Sequence, residues 1–172
     1  MEDRKVGVLS GFENHDLDEN RGAGSIPASS YHNLSWLAGL LEGDGCFAYN
    51  KNNPTILLQM IDLDTINSAN KYLKSKNVYL NVPVNKLWSP VYKIVSNKTI
   101  SKEIMHSIFP FMGIRRGCRI VEMLKYTPDS SSLIDNWSWL AGILEAEGSF
   151  MKGAPSAPNT PIISIEMVDR DI

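Results

Sequence analysis

Two carboxylates stand where this chain could do metal chemistry. Asp44 closes the stretch Leu37-Ala-Gly-Leu-Leu-Glu-Gly-Asp-Gly45, and Glu147 closes Leu140-Ala-Gly-Ile-Leu-Glu-Ala-Glu-Gly148. Each stretch reads as the end of a helix, with the acid in its last turn and a glycine after it as a left-handed cap. Negative charge at a helix C-terminus is disfavoured by about 0.3–1 kcal/mol. If the two helices lie parallel and close, mutual repulsion adds to that cost. A divalent cation relieves both. Hard oxygen ligands of this kind suit Mg²⁺, which keeps several waters and binds substrate phosphate. Two carboxylates across a scissile phosphate fit metal-assisted phosphodiester hydrolysis. Charge placement alone leaves two solvated helix-end acids as an equal alternative.

Close approach of the two helices is itself written in the spacing. Gly39 and Gly43 are four apart and share one helix face, and Gly142 with Ala146 is the matching pair. Small residues at this spacing let helix backbones come near each other. Leu37, Leu40 and Leu41 point elsewhere and can anchor the helix in its own half. The expectation is two helices meeting across a pseudo-twofold axis, with Gly39, Gly43, Gly142 and Ala146 at the interface.

The elements that hold these helices follow from an internal repeat. Asn33 to Phe47 recurs as Asn136 to Phe150. After four extra residues in the second copy, Met60 pairs with Met167, Asp62 with Asp169 and Asp64 with Asp171. The first copy reads α-β-β-α-β-β-α. A helix covers about 34–44. Strands at 47–50 and 55–61 flank the hairpin signal Lys51-Asn-Asn-Pro54. Asp62 or Asp64 caps a helix over about 64–75. A second hairpin uses 78–84 and 91–95, and helices over 100–109 and 115–126 break at Pro110 and Gly113. Residues 127–135 form a polar linker, and 136–172 begin the second copy. The equivalent of 67–125 is missing from it, which suggests a fragment or a prematurely terminated product. Residues 1–30 lack apolar periodicity and read as an unstructured leader.

Net charge is −2, but its distribution is uneven. Residues 71–125 carry eleven bases against two acids, while the blocks on either side are acidic. A polyanion meets the local field rather than the total. No apolar run reaches the roughly 20 residues that span a bilayer, and the N-terminus has no apolar signal core. Cys46 and Cys118 show no ligand or redox spacing. They read as two buried thiols, with an intracellular, reducing compartment as the default.

The paired nine-residue motifs, each followed by the same strand pattern, resemble those of the LAGLIDADG homing endonucleases. The resemblance covers about residues 33–172, and Phe109-Pro-Phe-Met-Gly-Ile-Arg-Arg116 is also similar to a segment of that family. It implies an α+β fold of tandem αββαββα repeats with antiparallel sheets, related by a pseudo-twofold axis, here with the second repeat incomplete. The implied activity is metal-dependent, site-specific cleavage of double-stranded DNA, with Mg²⁺ or another divalent cation, encoded by a mobile intron or similar element in an organelle, prokaryote or phage. Asp44 and Glu147, with Gly43 and Ala146 just before them, take the metal-binding positions. Glu42 and Glu145 are expected to be structural. Glu stands in place of Asp at 42, 145 and 147, so the reach of Glu147 differs from that of Asp44.

In that family each half lays a curved sheet into the major groove, which admits a two-stranded ribbon. The strand-borne candidates here are Tyr49, Lys51, Asn53, Gln59, Lys86, Trp88, Tyr92 and Lys93. Arg115, Arg116 and Arg119 are expected to contact phosphate or to sit in surface ion pairs. Lys93 is the candidate for a lysine near the attacking water. Two other readings compete: an RNA maturase that binds intron RNA, for which the acids are dispensable, and an inactive relic of the nuclease. A full-length chain is expected to be monomeric.

Overall fold

The computed structural model describes residues 6–9, 28–85, 87–129, 135–153, 156 and 159–167, with side chains from residue 34 onward. The fold is α+β. In chain order it has β1 (Val6–Leu9), α1 (Ala28–Gly43), β2 (Gly45–Asn50), β3 (Asn53–Met60), α2 (Leu63–Leu73), β4 (Val78–Asn81) and β5 (Val91–Val95). Then come α3 (Lys98–Ile108), a 3₁₀ turn (Phe109–Phe111), α4 (Ile114–Leu124), α5 (Asn136–Glu147), β6 (Gly148–Met151) and β7 (Ile162–Ile165). Strands β1 to β5 form one antiparallel sheet in the order β1-β4-β5-β3-β2, and β6-β7 form a separate hairpin.

Local chemistry sets the element ends. Lys51 and Asn52 both have positive φ, 48° and 64°, which gives the β2–β3 hairpin a two-residue turn matched to strand twist. Asp62 caps α2 by accepting from the Asp64 amide at 2.9 Å and from Thr65 Oγ1 at 2.9 Å. Asn97 caps α3 through the Ile100 amide at 3.0 Å. Lys74 and Lys125 close α2 and α4 in the left-handed conformation.

The core lies between the helices and one face of the large sheet. Alternation decides which residues enter it. Phe47 of β2, Ile56 and Leu58 of β3 and Ile94 of β5 are buried, together with Ile66, Ala69 and Leu73 of α2 and Met105 and Ile108 of α3. Helix α1 carries apolar residues nearly all round, as a helix covered on several sides must. Its Leu37, Ala38, Leu40 and Leu41 are fully buried.

The second copy repeats the first down to its strand register. Phe150 faces Ile163 across β6–β7 as Phe47 faces Ile56, and Gly148 faces Ile165 as Gly45 faces Leu58. Burial does not repeat. Phe47 is 7% exposed and Phe150 69% exposed, and Ile163 and Ile165 are also exposed. Among the described residues, no helix covers this hairpin as α2 and α3 cover the first.

Several expectations need correction. The segment 1–30 was expected to be unstructured, but Val6–Leu9 adds a strand to β4 and α1 starts at Ala28. An edge strand offers free backbone groups that even a short segment can pair with. The rest of 1–30 lies outside the described residues, as do most of the linker, Asp169 and Asp171. Strand β4 stops at Asn81 rather than Val84, because Pro83 has no amide to donate to a ladder. Cys46 and Cys118 are exposed rather than buried. Gly45 and Gly148 are not left-handed caps: Gly148 has φ −78° and ψ 141°, and Gly45 opens β2 directly. Their small size serves the sharp helix-to-strand corner instead. A Cβ on either would collide with the carbonyl four residues back, at Leu41 or Leu144.

Candidate active site

The site is built on the contact between α1 and α5. A Cβ on Gly39 would run into the Trp139 carbonyl, and a Cβ on Gly142 would run into the Trp36 carbonyl. Both contacts are the same contact seen from opposite sides of the pseudo-twofold axis. One turn on, a Cβ on Gly43 would strike the Ala146 methyl and come within 3.0 Å of Glu147 Cγ. The four small residues expected at the interface are therefore all there. The helices run parallel, and their C-terminal ends bring Asp44 and Glu147 together.

Asp44 is held at the corner between α1 and β2, its amide donating to the Leu40 carbonyl at 3.0 Å. Its carboxyl pKa is pushed up from the ordinary 3.8 to about 6. Partial burial is the main cause and the nearby Glu147 carboxylate the second, with the Arg116 guanidinium opposing both. Among the described residues no three His, Cys, Asp or Glu side chains converge on a metal site. A cation here would draw on Asp44, Glu147, backbone carbonyls, water and substrate oxygens. Mg²⁺ takes such a set, being satisfied with one or two carboxylates, so the residues present fit it.

The earlier acids are structural, each in its own way. Glu42 is 1% exposed. Its Oε2 accepts from the Gly113 amide at 3.0 Å, and its Oε1 lies 3.5 Å from Arg116 Nε. Glu145 accepts from Thr65 Oγ1 at 3.2 Å, which ties α5 to the start of α2 in the first half.

Sheet register sorts the nucleic-acid candidates. Cys46, Ala48 and Asn50 share one face of β2, opposite Leu57, Thr55 and Asn53 of β3. On that face Gln59 pairs with Lys93, and Lys93 pairs with Tyr79. Gln59, Lys93 and Tyr79 thus fall in one row across the sheet, and Asp44 stands at the corner one residue before β2, whose Gly45 pairs with Leu58 beside that row. Asn53 shares the face, Lys51 sits in the exposed hairpin turn, and Trp88 is exposed in the loop between β4 and β5. Lys86 lies outside the described residues. Tyr79 was missed by sequence reasoning, although it stands one residue from Val78 and Leu80 with the opposite parity.

Four candidates do not face that surface freely. Tyr49 shares the Phe47 face, donates to the Glu122 carbonyl at 3.3 Å and lies under the Arg119 guanidinium at 5.6 Å. Tyr92 shares the Ile94 face and packs against the core. Arg116 and Arg119, one helical turn apart on α4, donate to the Gly45 and Phe47 carbonyls of the edge strand β2. They satisfy that edge rather than a phosphate. Arg119 also pairs with Glu122 at 2.6 Å. Arg115 is exposed on α4.

No protein-family model matches the chain, and no curated protein matches it. Among solved structures it is similar to the LAGLIDADG meganuclease I-AabMI bound to uncleaved DNA, at 16% identity and a TM-score of 0.41. It is also similar to the LAGLIDADG homing endonuclease I-GzeII in complex with its DNA target, at 16% identity and a TM-score of 0.35. In both, the match covers 76% of this chain and 64% of the other. The chain thus spans less than two thirds of the length of these proteins. No helix among the described residues is long and apolar enough to cross a membrane.

Proposed function

We propose that the chain is a site-specific, metal-dependent double-stranded DNA endonuclease of the LAGLIDADG type, carried by a mobile intron or similar element. The observation that carries this is the convergence of Asp44 and Glu147 at the ends of two helices packed backbone to backbone. Close helices hold two acids together against their repulsion and against the helix dipoles. That arrangement costs stability without a cation and gains meaning with one.

When bound, Mg²⁺ would neutralise charge on the scissile phosphate and lower the pKa of attacking water. The chain's own residues do the rest. Asp44 and Glu147 would supply the anionic ligands, and the Gly43 and Ala146 carbonyls are at hand beside them. The Gly43 carbonyl already accepts from Arg116 at 2.5 Å, which leaves its second lone pair for a cation. Lys93 and Gln59, paired across β5 and β3 on the outer face, would meet the phosphate and the water beside it. Asn53, Lys51 and Trp88 would meet the duplex farther along the same face.

The test is cleavage of a duplex made by joining the two sequences that flank the gene, as if the element were absent. Cleavage with Mg²⁺, lost on chelation and in Asp44→Asn, supports the proposal. Intact duplex under all conditions, with intron RNA bound instead, would favour the maturase.

A further inference from the structure

Asp44 sits between two glycines, Gly43 and Gly45. Glycine torsions are soft, so the corner at Asp44 depends on the contacts that hold it: the Leu40 carbonyl takes the Asp44 amide, and one guanidinium grips the peptides on either side. Arg116 Nη2 donates to the Gly43 carbonyl at 2.5 Å, and Nη1 donates to the Gly45 carbonyl. The Gly43 carbonyl belongs to the rigid peptide plane before Asp44, and the Gly45 carbonyl to the plane after Gly45. The planar fork therefore fixes both ends of the four torsions that aim the Asp44 side chain.

The fork is itself anchored. Arg116 is 14% exposed, and its Nε faces Glu42 Oε1 at 3.5 Å. The other oxygen of Glu42 is held by the Gly113 amide at the start of α4. A closed loop of contacts thus runs from α1 through Glu42 to α4, and back through Arg116 to the peptides around Asp44. We infer that Arg116 is a positioning residue for Asp44, setting the metal-facing carboxylate by gripping the peptide groups on either side of it. The inference rests on the endonuclease reading of the site, which makes Asp44 a metal ligand.

The experiment measures Mn²⁺ binding to the full chain by electron paramagnetic resonance. It is run alongside thermal melts and hydrogen exchange at the amides of residues 43–47. Arg116→Lys keeps a charge beside Glu42 but replaces the planar two-nitrogen fork with one nitrogen on a flexible stem. The double variant Arg116→Met with Glu42→Gln removes both members of the buried pair, so that neither is left without its partner. In a folded variant of either kind, Mn²⁺ affinity is expected to fall about 10- to 100-fold, the usual cost of losing a group that orients a ligand. Faster exchange at residues 43–47 should accompany it. A folded variant that binds Mn²⁺ as the wild type does overturns the inference. So does failure of both variants to fold, which would reduce Arg116 to a fold-holding strap. A wild-type chain that binds no Mn²⁺ instead removes the metal site on which the endonuclease reading depends, and the inference with it.

Discussion

Gly39 meets the Trp139 carbonyl so closely that no Cβ fits between them, and Gly142 meets the Trp36 carbonyl in the same way. This reciprocal contact sets the distance between the two halves, and through it the distance between the two acids one turn further on.

Filling the contact should therefore hurt both stability and site. Gly39→Ala or Gly142→Ala is expected to cost about 1–3 kcal/mol, the usual range for overpacking a tight contact. The obstacle is backbone rather than a movable side chain, so relief requires the helices to part. Urea unfolding of each variant measures the cost. A loss below about 0.5 kcal/mol, the range of an ordinary surface change, would contradict the observed packing.

The two equivalent glutamates should behave differently. Glu42→Ala leaves Arg116 buried without its anion and is expected to cost about 3–5 kcal/mol. Glu145→Ala removes one part-buried hydrogen bond from Thr65 and should stay within about 1 kcal/mol. Equal effects in thermal melts would contradict the burial of Glu42 against Arg116.

The two phenylalanines of the repeat form a second such pair. Phe47→Ala should cost about 3–5 kcal/mol as a core truncation. Phe150→Ala should be near neutral, and Phe150→Lys should reduce self-association in light scattering. The second hairpin bares Phe150, Ile163 and Ile165, and exposed apolar clusters promote association.

Stability should also depend on pH and metal through Asp44. Its folded pKa is raised from 3.8 to about 6, so the folded state holds that proton more tightly than the unfolded chain. The metal-free protein gains from this group below about pH 4 and loses that gain as pH rises through about 6. The Asp44 contribution should therefore lower the melting temperature between pH 4 and pH 7. Asp44→Asn should remove this component, and Mg²⁺ at pH 7.5 should offset it. A melting profile unchanged by Asp44→Asn would contradict the coupling to Glu147 and the burial that raise the pKa.

What could be foreseen from sequence follows the range of the interactions. The helix interface was legible at Gly39, Gly43, Gly142 and Ala146 because spacing along one helix fixes a face. The cap at Asp62 and the turn at Lys51 are equally local. Tyr49 and Tyr92 were assigned to the outer face on residue type, although each stands two residues from a core position, Phe47 or Ile94, and so shares its side of the strand. Parity, not aromaticity, carried that information. The roles of Arg116 and Arg119 were hidden for a different reason. Their partners are the free carbonyls of an edge strand about 70 residues away, and nothing in the spacing of two arginines names which strand forms the edge. The strand at Val6–Leu9 was hidden in the same way, since its partner, β4, offers backbone groups that leave no mark in side-chain pattern.

The central claim is that Asp44 and Glu147 together hold a divalent cation. Titrating Mn²⁺ into the wild-type chain, Asp44→Asn, Glu147→Gln and the double variant, with free ion read by electron paramagnetic resonance, tests it most directly. A shared site predicts that each single variant weakens binding about tenfold or more and that the double variant abolishes it. Wild-type affinity in Asp44→Asn and Glu147→Gln alike would contradict the account and leave the two acids as solvated helix ends.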